Sequence, residues 1–120
     1  MKVPRLATTV VVLLSVAAAA CSSGGSEARV VDLVATDQAC TPATTALQAG
    51  KTTFRIQNDG DQVTELYIYA KGDRVVTERE NIGPGTSADL IADLVAGTYE
   101  LACKPGQKGD GIRASITVTG

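Results

Sequence analysis

The sequence contains no histidine and no tryptophan, and among its 120 residues it has one methionine, one phenylalanine and three tyrosines. Without histidine the chain cannot build a Ser-His-Asp or Cys-His catalytic arrangement, nor a copper centre held by two imidazoles. The net charge is only −2, from 11 basic and 13 acidic residues, which gives no indication of a nucleic-acid partner. A hydrolase is not indicated, and metal-dependent redox chemistry such as ferrous-ion oxidation is the enzymatic activity left open.

The first 21 residues have the pattern of an export signal. Lys2 and Arg5 precede an apolar stretch that is too short for a permanent membrane span, and small residues, Ala18 among them, lead to Cys21. This end resembles a lipobox, although leucine is more usual than alanine at position 18. We therefore predict a lipoprotein signal peptide over 1–21 and a lipid on Cys21, with ordinary secretory cleavage after Ala20 as the alternative. Residues 22–28 are predicted to be a flexible linker. The signal peptide and the lipid together predict an extracytoplasmic protein that is lipid-anchored to a bacterial cell membrane.

From residue 29 onward, short runs rich in Val, Ile, Thr and Tyr alternate with Gly, Asp, Asn and Pro clusters. This spacing predicts a single all-β sandwich over 29–120. Turns at 71–73 and 96–97 are expected to close hairpins, and 89–95 could form a helical turn instead of a strand. The predicted strands cover residues 30–35, 52–58, 65–70, 74–80, 86–94, 98–103 and 112–119.

Two cysteines remain in the predicted domain, Cys40 and Cys103, and they have two interpretations. In an oxidising compartment such a pair is most often a disulfide, which would stabilise a small domain. Alternatively, two thiolates with a neighbouring carboxylate form a soft anionic site for copper or iron. Glu65, Glu78 and Glu80 are the acidic candidates, because Glu78 and Glu80 lie two apart on one strand face, although surface charge for solubility is the commoner reason for such residues.

Four stretches together resemble the cupredoxin-like domain of the EfeO family of bacterial iron-uptake proteins. Residues 78–85 read Glu-Arg-Glu-Asn-Ile-Gly-Pro-Gly, and the others are Cys-Thr-Pro at 40–42, Ala-Gly-Lys-Thr-Thr-Phe at 49–54 and Gly-Thr-Tyr-Glu-Leu-Ala-Cys at 97–103. The resemblance implies a Greek-key cupredoxin-like sandwich of about seven or eight strands. It also implies Cys40, Glu65 and Cys103 as ligands of a copper or iron ion, and partners that include an iron-uptake permease and a haem peroxidase.

Two departures from that family qualify the expected function. A methionine common two residues before the second cysteine is Leu101 here, which removes a soft thioether ligand. Family members commonly continue into a helical domain, and this sequence ends at Gly120, so a stand-alone module is expected. The leading hypothesis is a membrane-anchored copper- or iron-binding accessory to metal uptake, with the glycine-containing 104–111 loop opening and closing the site. The alternative is a structural or interaction domain that has a Cys40–Cys103 disulfide and no metal.

Overall fold

A computed structural model describes residues 29–120 as strands joined by short connections. The predicted signal peptide, the lipid site at Cys21 and the linker lie outside the described residues. Within those residues the strands are β1 Arg29–Ala35, β2 Cys40–Pro42, β3 Ala46–Gln48, β4 Gly50–Asn58, β5 Thr64–Ala70, β6 Arg74–Ile82, β7 Ser87–Leu94, β8 Gly97–Cys103 and β9 Ile112–Thr119, with a single 3-10 turn at Pro105–Gln107.

The strands form two sheets that pack face to face. One sheet has the order β2-β1-β4-β7 and the other the order β3-β9-β8-β5-β6. β1 pairs with β4 in parallel, as β3 does with β9, and the remaining pairs are antiparallel. The parallel pairs require connections that cross between the sheets. The fold is therefore the expected all-β sandwich and not a simple meander.

All seven predicted strands are present, and each observed end lies within two residues of the predicted one. The 71–73 turn closes the β5–β6 hairpin as expected. The prediction of a hairpin at 96–97 was wrong, because β7 pairs with β4 while β8 pairs with β5 and β9, so this turn carries the chain from one sheet to the other. β2 and β3 were not predicted, since three residues are too few to show an alternating pattern.

The core lies between the two inner faces. Phe54 and Ile56 of β4 and Leu66 and Ile68 of β5 are all fully buried, because strand alternation turns every second side chain inward. Leu101 joins them in the same cluster. The polar neighbours on each strand are left for the outer faces, where any exposed site must be built.

The connections gather at the two ends of the sandwich. We call one end the basal pole, where β1, β4, β6 and β8 begin; it comprises residues 29, 49–51, 71–74 and 93–97. The other end, the apical pole, comprises residues 36–39, 59–63, 83–86 and 104–111. Asn58 links the apical connections, since its buried amide donates to the carbonyls of Gln62 and Ile82 at 2.8 Å each and its side-chain oxygen accepts from the Gly60 N–H.

Within residues 29–120, no helix is long and apolar enough to cross a membrane.

Candidate functional site

Cys40 and Cys103 form a disulfide in the structure, and they are not a pair of free thiolates. The bond joins β2 of one sheet to the end of β8 in the other, with a Cα–Cα distance of 5.5 Å across 63 positions of sequence. Cys103 is fully buried and Cys40 is nearly so. In this state neither sulfur is a thiolate, and metal ligation by the pair would first require its reduction.

Glu65 is the most unusual polar residue near this pair. Strand alternation places it on the outer face of β5, between the inward-facing Thr64 and Leu66, yet it is only 7% exposed. The backbone N–H of Lys104 donates to its carbonyl at 2.9 Å. Burial raises the pKa of its carboxyl; the positive charge of Lys104 opposes this shift, and the negative charges of Glu80 and Glu78 add to it. Among the described residues, no hydrogen bond or ion pair engages this carboxylate.

An aromatic and cationic layer lies next to Glu65. The rings of Tyr67 and Tyr69 stack with centroids 5.6 Å apart. The Lys104 ammonium lies 3.8 Å from the centroid of the Tyr67 ring and donates to the Tyr69 hydroxyl at 2.7 Å. The Arg113 guanidinium lies 4.3 Å from the centroid of the Tyr69 ring and is itself held by Glu100 at 2.9 Å. These contacts fix a positive charge beside Glu65 at a desolvated position.

Glu78 and Glu80 complete the group from the neighbouring strand β6. Glu78 is the cross-strand partner of Tyr67, and a hydrogen bond to Glu78 is the main cause of a raised pKa at Tyr67, followed by burial and the charge of Glu65. A bulge in β6 lets Glu80 and Asn81 both face Glu65. We call Glu65, Tyr67, Glu78, Glu80 and Lys104 the carboxylate face.

The sequence reasoning selected Glu65, Glu78 and Glu80 but missed Tyr67 and Lys104. The strand period contained a signal for the tyrosine, because residues 65 and 67 must share a face. Nothing local marked Lys104, which follows the last residue of β8 and reaches this face only through strand pairing and the Tyr69 contact.

The carboxylate face is not a ready-made metal cage. No group of three or more cysteine, aspartate or glutamate side chains among residues 29–120 is arranged to hold a metal ion. A copper centre of the blue-copper type does not fit, because the sequence has no histidine, Cys103 is in a disulfide and Leu101 is packed in the core. Glu65, Glu78 and Glu80 offer the oxygen ligands that hard cations prefer, and their side chains would have to move together to hold one.

The raised pKa of Glu65 leads to a stability prediction. The folded state holds the Glu65 proton more tightly than the unfolded state, where the pKa is near its ordinary value of 4.5, so Glu65 destabilises the folded protein once the pH is above that value. Replacing it with the neutral isostere, Glu65→Gln, should therefore raise the melting temperature at pH 7. The gain should shrink as the pH falls through the raised pKa toward 4.5 and be nearly absent below 4.5, because both states then carry a neutral carboxyl.

Thermal unfolding monitored by circular dichroism between pH 3 and 8 measures this difference. The exposed Asp89→Asn, at a carboxylate paired with Arg55 on the other sheet, is the matched control and should give no gain at pH 7. A Glu65→Gln protein less stable than the parent at neutral pH would show that the carboxylate is a structural partner.

Comparison with known proteins identifies the class. A sequence model of the Cupredoxin-like domain family matches residues 6–118, so the chain belongs to this family. It is also 45% identical over 73 residues to the iron uptake system component EfeO of Escherichia coli K12, and to the same extent to that of Shigella flexneri. The matched stretch is 61% of this chain but 19% of the length of those relatives. The resemblance to an EfeO-type cupredoxin-like domain is confirmed.

Solved structures agree on the fold. Auracyanin from Roseiflexus castenholzii aligns with a TM-score of 0.60 and 14% identity, covering 80% of this chain and 100% of that chain. Auracyanin A from Chloroflexus aurantiacus, a "blue" copper protein, aligns with a TM-score of 0.58 and 15% identity, covering 78% and 100%. At such identities the likeness concerns the fold alone, and it confirms the predicted cupredoxin-like sandwich.

Proposed function

We propose that this protein is an extracytoplasmic, lipid-anchored iron-binding module that takes up ferric iron as cargo at the carboxylate face, in the service of iron uptake. The observation that carries the proposal is Glu65, a residue that is 7% exposed and whose carboxylate has no hydrogen bond or ion pair in residues 29–120. A buried carboxylate without such partners costs free energy, and a bound cation would supply the missing partner. Glu78 and Glu80 would add the further oxygen ligands.

Carboxylate oxygens, and not the tyrosine phenolate, would hold the iron. The raised pKa of Tyr67 means that its hydroxyl keeps its proton at neutral pH, with Glu78 accepting the hydrogen bond. In its protonated form, Tyr67 positions Glu78. An iron complex built in this way would lack the strong visible colour that phenolate coordination gives to ferric iron.

Lys104 would act as the resident cation of the site before iron binds. Its ammonium is held beside Glu65 by Tyr67 and Tyr69, so an incoming metal ion competes with a positive charge already in place. Metal entry would then require the Lys104 side chain to move outward. Gly111 leaves room for the Lys104 side chain, because a Cβ at this position would lie 2.8 Å from the Lys104 Cγ, and its φ of +80° favours glycine.

The middle of the 104–111 loop, at residues 106–107, is held at two points. The Gly106 N–H donates to the Val63 carbonyl, and the Gln107 side chain accepts from the Asn81 N–H, both at 2.8 Å. The proposed opening of the site requires these two contacts to break. The loop would then couple metal entry to the strand β6 that carries Glu78 and Glu80.

Equilibrium dialysis against ferric nitrilotriacetate tests the proposal. The purified oxidised protein should retain one ferric ion per chain, and Glu65→Gln should weaken retention at least about 100-fold, because a buried charged partner is lost. Tyr67→Phe should stay within about threefold of the parent. Asp89→Asn, on the opposite sheet, is the matched control and should not change retention.

Reduction of the disulfide separates this proposal from ligation by Cys40, Glu65 and Cys103. Retention that is equal before and after treatment with a phosphine reductant supports carboxylate ligation. Retention of iron or copper that appears only after reduction, and disappears in Cys103→Ser, would contradict the carboxylate site and favour the thiolate set. Failure to retain ferric iron in either state would overturn the iron-binding proposal.

The second candidate is a structural or interaction domain, and the Cys40–Cys103 disulfide is the observation that favours it. The bond removes both thiolates from metal chemistry and braces the two sheets. On this reading the sandwich docks onto another envelope protein. This function would be favoured if the parent protein retained no iron and the Glu65→Gln variant still docked onto the envelope protein as the parent does.

The disulfide and the similarity to EfeO support a location outside the cytoplasm, where disulfides persist. We infer a lipid on Cys21, a tether over 22–28 and a domain over 29–120, with an iron-uptake permease or peroxidase as the partner that receives or supplies the cargo. Intact mass of the exported protein tests the lipid, since diacylglyceryl modification adds a defined mass to the peptide that begins at Cys21.

A further inference from the structure

The basal pole is the end at which the chain enters the sandwich. Arg29 opens β1 there, and its guanidinium donates to the Gln48 carbonyl at 2.9 Å. Eight peptide steps separate Cys21 from Arg29, so a tether from a lipid on Cys21 spans at most about 28 Å. This is no more than the length of β4, whose nine residues extend roughly 30 Å along the sandwich. The tether thus allows the basal pole to reach the membrane surface, but it is too long to fix the orientation of the domain by itself.

Charge is distributed unequally between the two poles. The basal pole exposes the basic side chains Arg29, Lys51, Lys71 and Arg74. Its carboxylates are Asp73 and Asp93, and Asp73 is paired with Arg113 at 3.3 Å. The apical pole is acidic, with Asp37, Asp59, Asp61 and Asp110 against Lys108 and the buried Lys104, and the carboxylate face adjoins it. An anionic surface therefore attracts the basal pole and repels the apical one.

The basal pole also offers a groove and an apolar tip. The groove, of about 640 Å³, lies between the β5–β6 turn and the β7–β8 turn. Its lining includes two basic side chains, Lys71 and Arg74, and two acidic ones that both pair with Arg113, namely Asp73 and Glu100. Val95 lies at the tip of the second turn with 73% of its surface exposed. Two exposed basic side chains that have no ion pair among residues 29–120, Lys71 and Arg74, beside an exposed valine match the phosphate and glycerol layer of a bilayer, where cations meet phosphates and small apolar side chains enter the interface.

We propose that the basal pole is a membrane-docking surface that recognises anionic phospholipid headgroups and orients the domain with its carboxylate face toward the aqueous side. The inference rests on the proposed lipid anchor at Cys21. Lys71 and Arg74 contact headgroup phosphates, and Val95 enters the interface. The arrangement keeps the iron-binding face away from the negative membrane surface and open to cargo and partners.

Fluorescence quenching on vesicles tests this orientation. The lipidated, metal-free protein is reconstituted in phosphatidylcholine vesicles with or without phosphatidylglycerol and labelled at Val95→Cys or at the apical Asp61→Cys. Headgroup-quencher lipids should quench the label at 95 at least about twofold more than the label at 61, and only when phosphatidylglycerol is present. The double reversal Lys71→Glu with Arg74→Glu should abolish this difference. The equal reversal Arg79→Glu with Lys108→Glu, away from the basal pole, should preserve it.

Intact mass of the same samples separates the anchor from the orientation. Equal quenching of the two labels on anionic vesicles, with the lipid present on Cys21, would overturn the docking surface and leave the anchor standing. Absence of the lipid would overturn the anchor and, with it, the orientation. A difference that persists unchanged in pure phosphatidylcholine would also contradict headgroup recognition.

Discussion

Replacing Cys40 and Cys103 together by serine should lower the free energy of unfolding by about 4 kcal/mol, because a bond that closes a loop of 63 positions greatly restricts the unfolded chain. For a domain of this size that loss corresponds to a fall in melting temperature of roughly 15–30 °C. Both serines would also lie at buried positions, which adds to the loss. Thermal and urea unfolding of the oxidised parent and the double variant measure the change.

Cys21→Ser is the matched control for the disulfide prediction, because it removes a cysteine outside the described sandwich and should leave the melting temperature unchanged. Reduction of the parent with a phosphine should reproduce the loss seen in the double variant. A double variant that unfolds at the same temperature as the parent would show that the disulfide contributes no net stability.

Phe54→Ala should cost about 3–5 kcal/mol, which is the range for removing a fully buried phenylalanine and leaving a cavity. Phe54 is the sole phenylalanine of the sequence, it is fully buried, and its cross-strand neighbours are Val31 and Leu90. Small domains have little excess stability, so this loss is a large share of the roughly 5–14 kcal/mol in total that is expected for about 92 residues. Urea unfolding at constant pH gives the value.

Phe54→Leu is the control, since it keeps most of the apolar volume and should cost less than about 1.5 kcal/mol. The two largest effects should also combine. Phe54→Ala is expected to remain folded while the Cys40–Cys103 disulfide is intact and to unfold on reduction, because the losses come from separate sites and should be nearly additive. A reduced Phe54→Ala protein with unchanged circular dichroism would contradict this expectation.

The sandwich was largely predictable because strand alternation is a local property. Phe54 and Ile56 alternate with polar neighbours, and so do Leu66 and Ile68, and in each case the apolar pair is inside. The partners of each strand were not predictable in the same way. The turn at 96–97 has the composition of a hairpin, but the neighbours of β7 and β8 were decided by which sheet could bury each apolar face.

The candidate site shows the same division. Glu65, Glu78 and Glu80 were selected from the sequence by residue type and spacing, whereas the burial of Glu65 arises only in the folded sheet, where the Lys104 backbone bonds to its carbonyl. Lys104 illustrates the limit most clearly, because its partner Tyr69 is 35 residues away along the chain. The order of charged residues along the sequence does not reveal which of them lie together on a desolvated surface.

By itself, the sequence determined that a histidine-based centre is absent, that the fold is all-β, and that the family is cupredoxin-like, because residue content, strand period and short motifs are local properties. Only the tertiary structure decided that Cys40 and Cys103 are bonded, that Glu65 is buried next to Lys104, and that basic and acidic charges gather at opposite poles. Each of these depends on distances between residues far apart in sequence, and those distances are set by which faces pack together to exclude water.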